Sequence, residues 1–122
     1  MVTKRRFQGN IGENLAKSFL EKQGLVFVTE NFSCRLGEID LIFKDKEEVV
    51  FVEVKTRSSR FFGEGEEAVN YFKLRKILKA GQFFLLQKNL EEAPFRIDVV
   101  SILLDYKKKE ATCKWIKNVG LE

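Results

Sequence analysis

The stretch that decides the fold is Gly37–Arg57, GEIDLIFKDKEEVVFVEVKTR. Two runs rich in Val, Ile, Leu and Phe flank the polar cluster at 45–48, and this pattern predicts a β-hairpin. If the turn lies at the centre of that cluster, Asp40 faces Glu53 across the two strands. Two carboxylates in this arrangement repel each other unless a cation or a shared proton lies between them.

Alternation of side chains along the two strands predicts one wholly apolar face. That face contains Ile39, Leu41, Phe43, Val50, Val52 and Val54. The other face is apolar near the turn and ionic only at its far end, which predicts a sheet covered on both sides. The ionic end would then form a cleft, where a hard divalent cation can reside.

Composition narrows the classes of protein to consider. The chain has 122 residues, 44% of them hydrophobic, which indicates one domain over 1–122, with a core over about 10–105 and a short C-terminal extension over 106–122. The absence of histidine excludes Ser-His-Asp and Cys-His catalysis and His-ligated metals. A net charge of +4 weakly favours an anionic partner.

The cysteines and the apolar runs of the sequence indicate in which compartment the protein resides. Cys34 and Cys113 lie far apart and outside any metal-binding spacing, so neither a zinc site nor a disulfide framework is indicated. The longest apolar runs have only four residues, Phe83–Leu86 among them, and are too short to span a bilayer. We therefore expect a reduced, cytoplasmic protein with no membrane association, and we leave a homodimer open.

The pattern outside the hairpin predicts a mixed α/β domain. The expected elements are a helix over 11–23, a strand over 25–32, a helix over 66–88, a strand over 95–104 and a short strand over 113–116. Asn10 is the expected N-cap of the first helix and Gly24 its C-terminal stop. The resulting order is α-β-β-β-α-β, with a further edge strand left open.

The acidic and basic residues of the hairpin follow a pattern that is known from a protein superfamily. Asp40 followed by Glu53-Val54-Lys55 on adjacent strands resembles the split D…E-x-K signature of the PD-(D/E)xK, or restriction-endonuclease-like, superfamily. More specifically, Gly12-Glu13, RLGEIDLI, VFVEVKTR and RIDVV, in this order, resemble the YraN-like family of bacterial proteins. The resemblance implies a mixed central sheet flanked by helices, and a distant kinship to Holliday-junction resolvases.

The candidate centre is formed by Asp40, Glu53 and Lys55. The two carboxylates, helped by the Val54 carbonyl, would bind Mg²⁺ or Mn²⁺, which prefer oxygen ligands. Lys55 would orient the attacking water and offset negative charge in the transition state. The alternatives are a solvated strand end where the carboxylates pair with Lys and Arg, and an ion pair between Lys55 and Glu38.

Three further side chains are candidates for the same site. The resemblance implies that Glu13 completes the metal site, although Asn10-x-x-Glu13 also resembles a helix-capping box. Glu38 lies one pair further out on the same strand face and is an auxiliary candidate. Lys73 reaches the cleft to contact a phosphate, or lies along the protein surface.

The loop after the hairpin has a basic and aromatic composition. Its candidate nucleic-acid-binding residues are Arg57, Arg60, Phe61 and Phe62, with Lys79 on the following helix. Positive charge grips phosphates and aromatic rings stack on bases. A solvated loop with a hydrophobic plug is the alternative.

These features favour a metal-dependent endonuclease acting on DNA phosphodiesters, with branched DNA among its substrates. A nucleic-acid-binding module that keeps the fold without turnover is the first alternative. A protein-interaction adaptor that docks a partner through Phe61 and Phe62 is the second.

Overall fold

The computed structural model describes residues 4–58 and 70–120. Its elements are α1 (Lys4–Lys22), β1 (Val26–Cys34), β2 (Gly37–Asp45), β3 (Glu48–Ser58), α2 (Tyr71–Gln87), β4 (Phe95–Asp105) and β5 (Glu110–Ile116). The predicted order α-β-β-β-α-β is confirmed, and β5 adds the edge strand. The five-stranded mixed sheet with two helices is compatible with a restriction-endonuclease-like core.

The five strands form one sheet in the order β1-β2-β3-β4-β5. All neighbouring strands are antiparallel except β3 and β4, which are parallel. A parallel connection needs a crossover, and α2 lies in the segment that joins β3 to β4.

The hairpin has the predicted register. Strands β2 and β3 pair from Leu41–Val52 to Asp45–Glu48, so the turn is centred on 46–47. Lys46 adopts φ 60 at this turn. The prediction that Ile42 faces Phe51 is therefore confirmed, and the ionic residues at the other end of the hairpin are set apart from the turn.

The sheet is covered on both faces, as predicted. One core packs α2 residues, including Leu74, Ile77 and Phe84, against Ile42 and Phe51 of the hairpin. The other packs Ala16 and Leu20 of α1 against a second set of hairpin residues, which are Leu41, Phe43, Val50 and Val52.

The predicted face of Ile39 is wrong. Ile39 packs in the core beneath α2, whereas Leu41, two residues later, packs in the core beneath α1. Strict alternation would place both on one face. The alternation breaks at Asp40, where the side-chain carboxylate accepts a hydrogen bond from the Val54 main-chain N–H at 2.8 Å.

Helix α1 begins at Lys4, seven residues before the predicted start. Asn10 therefore lies inside the helix and is not its N-cap. The predicted stop is confirmed, because Gly24 has φ +100 and the Leu25 N–H bonds to the Leu20 carbonyl at 3.1 Å, as in a Schellman motif.

Helix α2 begins later than predicted. Asn70 is its N-cap, and its side chain accepts a hydrogen bond from the Lys73 N–H at 2.9 Å. The predicted start at 66 is therefore wrong, because the Asn70 side chain satisfies one of the first free N–H groups of the helix. Neither described helix combines the length and hydropathy needed to cross a bilayer.

The C-terminal residues are bonded to the sheet through Asp98, which is fully buried. Its carboxylate accepts hydrogen bonds from the Arg96 side chain, from Trp115 Nε1 at 3.0 Å and from the Asn118 N–H at 2.9 Å. Arg96 also pairs with Glu48 at 2.8 Å. The network joins β5 and the hairpin turn to β4.

Close packing of α2 on the sheet depends on Gly81. A Cβ at this position would lie 2.5 Å from Cε2 of Phe51. Gly81→Ala should therefore lower the free energy of unfolding by about 1–2 kcal/mol, because overpacking outweighs the helix-propensity gain of about 1 kcal/mol. Urea denaturation followed by Trp115 fluorescence measures the change.

Gly9→Ala is the matched control, because nothing lies within 4 Å of a Cβ built at that helical position. It should leave stability unchanged or raise it by up to about 1 kcal/mol. A Gly81→Ala protein as stable as Gly9→Ala would contradict the close approach of α2 to Phe51.

Candidate active site

The site lies where β2 and β3 separate. Beyond the Leu41–Val52 pair, the Asp40 carboxylate bonds to the Val54 N–H, and this contact fixes the side chain between the two strands. Glu53 precedes Val54 on β3 and is only 5% exposed. The predicted meeting of Asp40 and Glu53 thus takes place at the irregular end of the hairpin.

Glu53 faces α2 and pairs with it. Lys73 Nζ lies 3.2 Å from Glu53 Oε2, and the Lys73 side chain is 45% exposed. Of the two readings of Lys73 from sequence, the structure shows the one in which the side chain reaches the cleft. The N-cap at Asn70 positions this first turn of α2 over the end of β3.

Helix α1 approaches the same end of β3 from the opposite face. Gly12 packs directly on Thr56, and a Cβ at position 12 would overlap the Thr56 side chain. This close packing holds the neighbouring Glu13 near the hairpin. Because Asn10 lies inside α1, the capping-box alternative for Glu13 does not hold.

Burial raises the pKa of both central carboxyls. The pKa of Glu53 rises from 4.5 to about 7, first because of burial and second because of the charge of Asp40. The pKa of Asp40 also rises through burial, although the Val54 N–H and Lys73 oppose the shift. A buried pair of this kind favours a shared proton or a bound cation at neutral pH.

Glu13 belongs to the same electrostatic unit. Its pKa rises to about 7, chiefly because of burial and then because of the charges of Asp40, Glu30 and Glu38. Glu38 also raises the pKa of Asp40. Negative charge from α1, β1 and β2 therefore accumulates around Glu13 and Asp40.

Two lysines supply positive charge to this unit. Glu53 raises the pKa of Lys73, and Lys55 lowers that of Glu53. The described part of the chain contains no ion pair between Lys55 and Glu38, which was the alternative for Lys55. The alternative for the two carboxylates was a solvated strand end where they pair with Lys and Arg. Glu53 does form an ion pair with a lysine, but its side chain is buried and not solvated.

The oxygen atoms at this site are ligands that suit a hard divalent cation. Among the described residues, no group of three or more His, Cys, Asp and Glu side chains has metal-site geometry. Asp40 and Glu53 nevertheless converge beside the main chain of Val54. Mg²⁺ binds through one or two carboxylates and keeps several waters, so this set of oxygens fits it.

The predicted nucleic-acid-binding residues have different outcomes. Arg60, Phe61 and Phe62 lie outside the described residues, so their roles stay predictions. Arg57 lies partly buried on β3, two residues beyond Lys55. Lys79 is exposed on α2, two residues from the buried Ile77 and therefore on the outer part of the helix surface.

Sequence reasoning missed an aromatic pair and a groove next to Lys73. Tyr71 and Phe72 are exposed in the first turn of α2, and their ring centroids lie 5.8 Å apart. Arg35 and Lys76 face each other across a cavity between the β1–β2 turn and α2. The Asn70 N-cap signal would have located the aromatic pair at a helix start, but no local pattern indicates the groove.

Comparison with known proteins places the chain in a family. The model of the family described as "Uncharacterised protein family UPF0102" matches residues 12–102. The chain belongs to this family. The matched range contains Glu13, Asp40, Glu53, Lys55 and Lys73, and the match confirms the YraN-like resemblance.

Clostridial UPF0102 proteins are similar to the chain over nearly its full length. One from Clostridium botulinum (strain 657 / Type Ba4) is 39% identical over 111 residues, which cover 90% of this chain and 90% of the relative. One from Clostridium tetani (strain Massachusetts / E88) is 40% identical over 110 residues, with the same coverage of both chains.

The buried carboxyls give a pH prediction for the metal-free protein. Because the folded-state pKa values of Glu13 and Glu53 lie near 7 against an ordinary 4.5, the folded state holds more protons than the unfolded state between these values. The stability from this proton uptake is complete below about pH 4.5 and is lost as pH rises through 7. Glu53→Gln should flatten this fall and exceed wild type in stability at pH 8.

Urea denaturation at successive pH values, in the presence of a chelator, measures the effect. Glu47→Gln is the matched control, because Glu47 is exposed in the hairpin turn at the other end of the strands. An identical pH profile for Glu53→Gln and wild type would show that Glu53 is not a buried, proton-binding carboxyl.

Proposed function

We propose that the chain is a metal-dependent endonuclease that hydrolyses DNA phosphodiesters. The observation that supports this most is the pair of buried carboxyls, Asp40 and Glu53, held together with Lys73 at the splayed end of the hairpin. A fold needs no such pair for stability, because burying two like charges is unfavourable. Membership of UPF0102 gives the family alone.

Asp40, Glu53 and the Val54 carbonyl would hold Mg²⁺ or Mn²⁺. Such an ion, when bound, polarises a phosphate oxygen and lowers the pKa of the attacking water. Asp40 is already oriented for this role, because one of its oxygens bonds to the Val54 N–H and its orientation does not depend on a ligand. Glu53 is anchored by Lys73 on its α2 side.

Glu13 and Glu38 would act as auxiliary carboxylates. The charge of Glu38, on β2 itself, raises the pKa of Asp40, and the charge of Asp40 raises the pKa of Glu13, on α1. Glu13 is the stronger candidate for a water-mediated or second-ion contact, because its own pKa is raised to about 7. Carboxyls of this kind release their protons when a cation binds.

Lys73 and Lys55 would balance the charge that develops during reaction. Lys73 is cationic and partly exposed, so it can move from Glu53 Oε2 to a substrate phosphate without leaving the site. Lys55 follows Glu53 by two residues and lies half-buried on the same strand. Positive charges placed where negative charge accumulates stabilise the transition state.

A nucleic-acid-binding module without turnover is the second candidate. It is favoured by the Lys73–Glu53 ion pair, which satisfies one carboxylate without a metal, and by the lack of a three-carboxylate cluster among the described residues. In that case the protein would bind DNA, and divalent cations would change neither the binding nor the DNA.

Activity separates these candidates. With Mn²⁺, the protein should nick DNA, and branched or flapped substrates are the first to test. Glu53→Gln should lower the rate at least ~100-fold, because it removes a ligand charge that the neutral amide cannot replace. Gel assays of labelled substrates over time measure the rate.

Glu47→Gln, which changes the same chemical group in the exposed hairpin turn, should nick at the wild-type rate. Equal rates for Glu53→Gln and wild type would point to a contaminating nuclease and remove Glu53 from the catalytic assignment. DNA binding without nicking, in every divalent cation tried, would favour the second candidate.

A further inference from the structure

A groove runs away from the carboxylates between the β1–β2 turn and α2. Its cavity has a volume of about 350 Å³, and Arg35, Glu38, Lys73 and Lys76 are its charged lining residues. The turn and the helix are in close contact at its base, because a Cβ at Gly37 would lie only 2.9 Å from the Lys76 carbonyl oxygen. The two walls are therefore held at a fixed spacing.

The charges change sign along the groove. At the end near the site, Lys73 is paired with Glu53, and the charge of Glu38 acts on Asp40. Arg35 and Lys76 are both exposed, and within the described ranges neither takes part in an ion pair. An anion that enters the groove therefore meets two uncompensated cations next to the carboxylate centre.

An exposed aromatic ring stands on the same flank of α2. Phe72 is 76% exposed, an unusual state for a phenylalanine, and it packs edge-on against Tyr71 with an interplanar angle of 77°. Phe72 precedes Lys76 by four residues, so the two side chains are neighbours on one side of the helix. The ring thus presents a face to solvent beside the groove.

We propose that this groove binds a single-stranded stretch of nucleic acid. Arg35 and Lys76 contact successive phosphates, and Phe72 stacks on an unpaired base. Alternation of phosphate-binding cations with an exposed ring is the arrangement that single strands require, whereas a duplex keeps its bases stacked and unavailable. The inference rests on the proposed function, because it supplies the substrate strand that leads to Asp40 and Glu53.

The phosphate contacts are tested by the salt dependence of binding. Fluorescence anisotropy with a labelled single-stranded oligonucleotide, in Ca²⁺ to suppress cleavage, gives affinity at several salt concentrations. The Arg35→Ala/Lys76→Ala protein should show a slope of log affinity against log salt that is shallower by about 1.4, since each phosphate contact contributes about 0.7 on single strands.

Lys107→Ala/Lys108→Ala is the matched control, because it removes the same charge from the exposed β4–β5 turn. Its slope should equal that of wild type. If both double variants shift the slope equally, binding depends on net charge and the groove is not the site. A wild-type protein that binds no single strand at low salt would also overturn the proposal.

The stacking contact is tested by Phe72→Ala on single-stranded, flapped and fully duplex DNA. Affinity for the first two should fall about 5- to 150-fold, and affinity for the duplex should change little. Leu86→Ala is the control, because Leu86 is another exposed apolar residue near the other end of α2. Equal losses on all three substrates would remove Phe72 from base stacking.

The results of these measurements distinguish a failure of the groove proposal from a failure of the proposed function. If wild type nicks DNA but the groove variants bind single strands as wild type does, the groove is overturned and the nuclease remains. If the groove variants lose single-strand binding while wild type never nicks, the groove is supported and the catalytic proposal fails.

Discussion

The constraint on which the structure depends is the burial of two carboxyls beside each other. Asp40 and Glu53 lie where β2 and β3 separate. Burial raises the pKa of both carboxyls, and the charge of Asp40 raises that of Glu53 further. Lys73 compensates part of this charge through a 3.2 Å ion pair, but it is itself 45% exposed. Burying two carboxyls side by side is unfavourable for the stability of the fold, and we propose that a bound cation offsets this cost.

The rest of the fold brings two helices to that point from opposite faces of the sheet. Gly12 lets α1 pack closely on Thr56 and carries Glu13 with it, while Gly81 lets α2 pack on Phe51. Asn70 caps α2 so that Lys73 falls in its first turn, above Glu53. Glycines at both interfaces thus determine how near the charged side chains of the helices come to the strands. The aromatic and basic side chains of α2 lie along the exposed flank of the helix next to this point.

Much of this architecture follows from local sequence patterns. The hairpin register was predictable because the two apolar runs flank a four-residue polar cluster at 45–48, whose centre is the turn. Gly24 marked the end of α1 because it stops a helix through positive φ. The face of Ile39 was not predictable, because the break in alternation arises from a hydrogen bond between Asp40 and Val54, fourteen residues away. The groove lined by Arg35 and Lys76 was missed for the same reason, since only tertiary packing brings a turn against a helix.

We propose that Asp40 and Glu53 form a cation site that exchanges protons for metal. Isothermal titration with Mn²⁺ at pH 7, in two buffers of different ionisation enthalpy, tests it without any assumption about the substrate. The account predicts saturable binding with an apparent enthalpy that depends on the buffer, because carboxyls with pKa values raised towards 7 release protons as the ion binds. Asp40→Asn should abolish this binding. Absence of Mn²⁺ binding by the wild-type protein at millimolar concentration, or equal binding by Asp40→Asn, would contradict it.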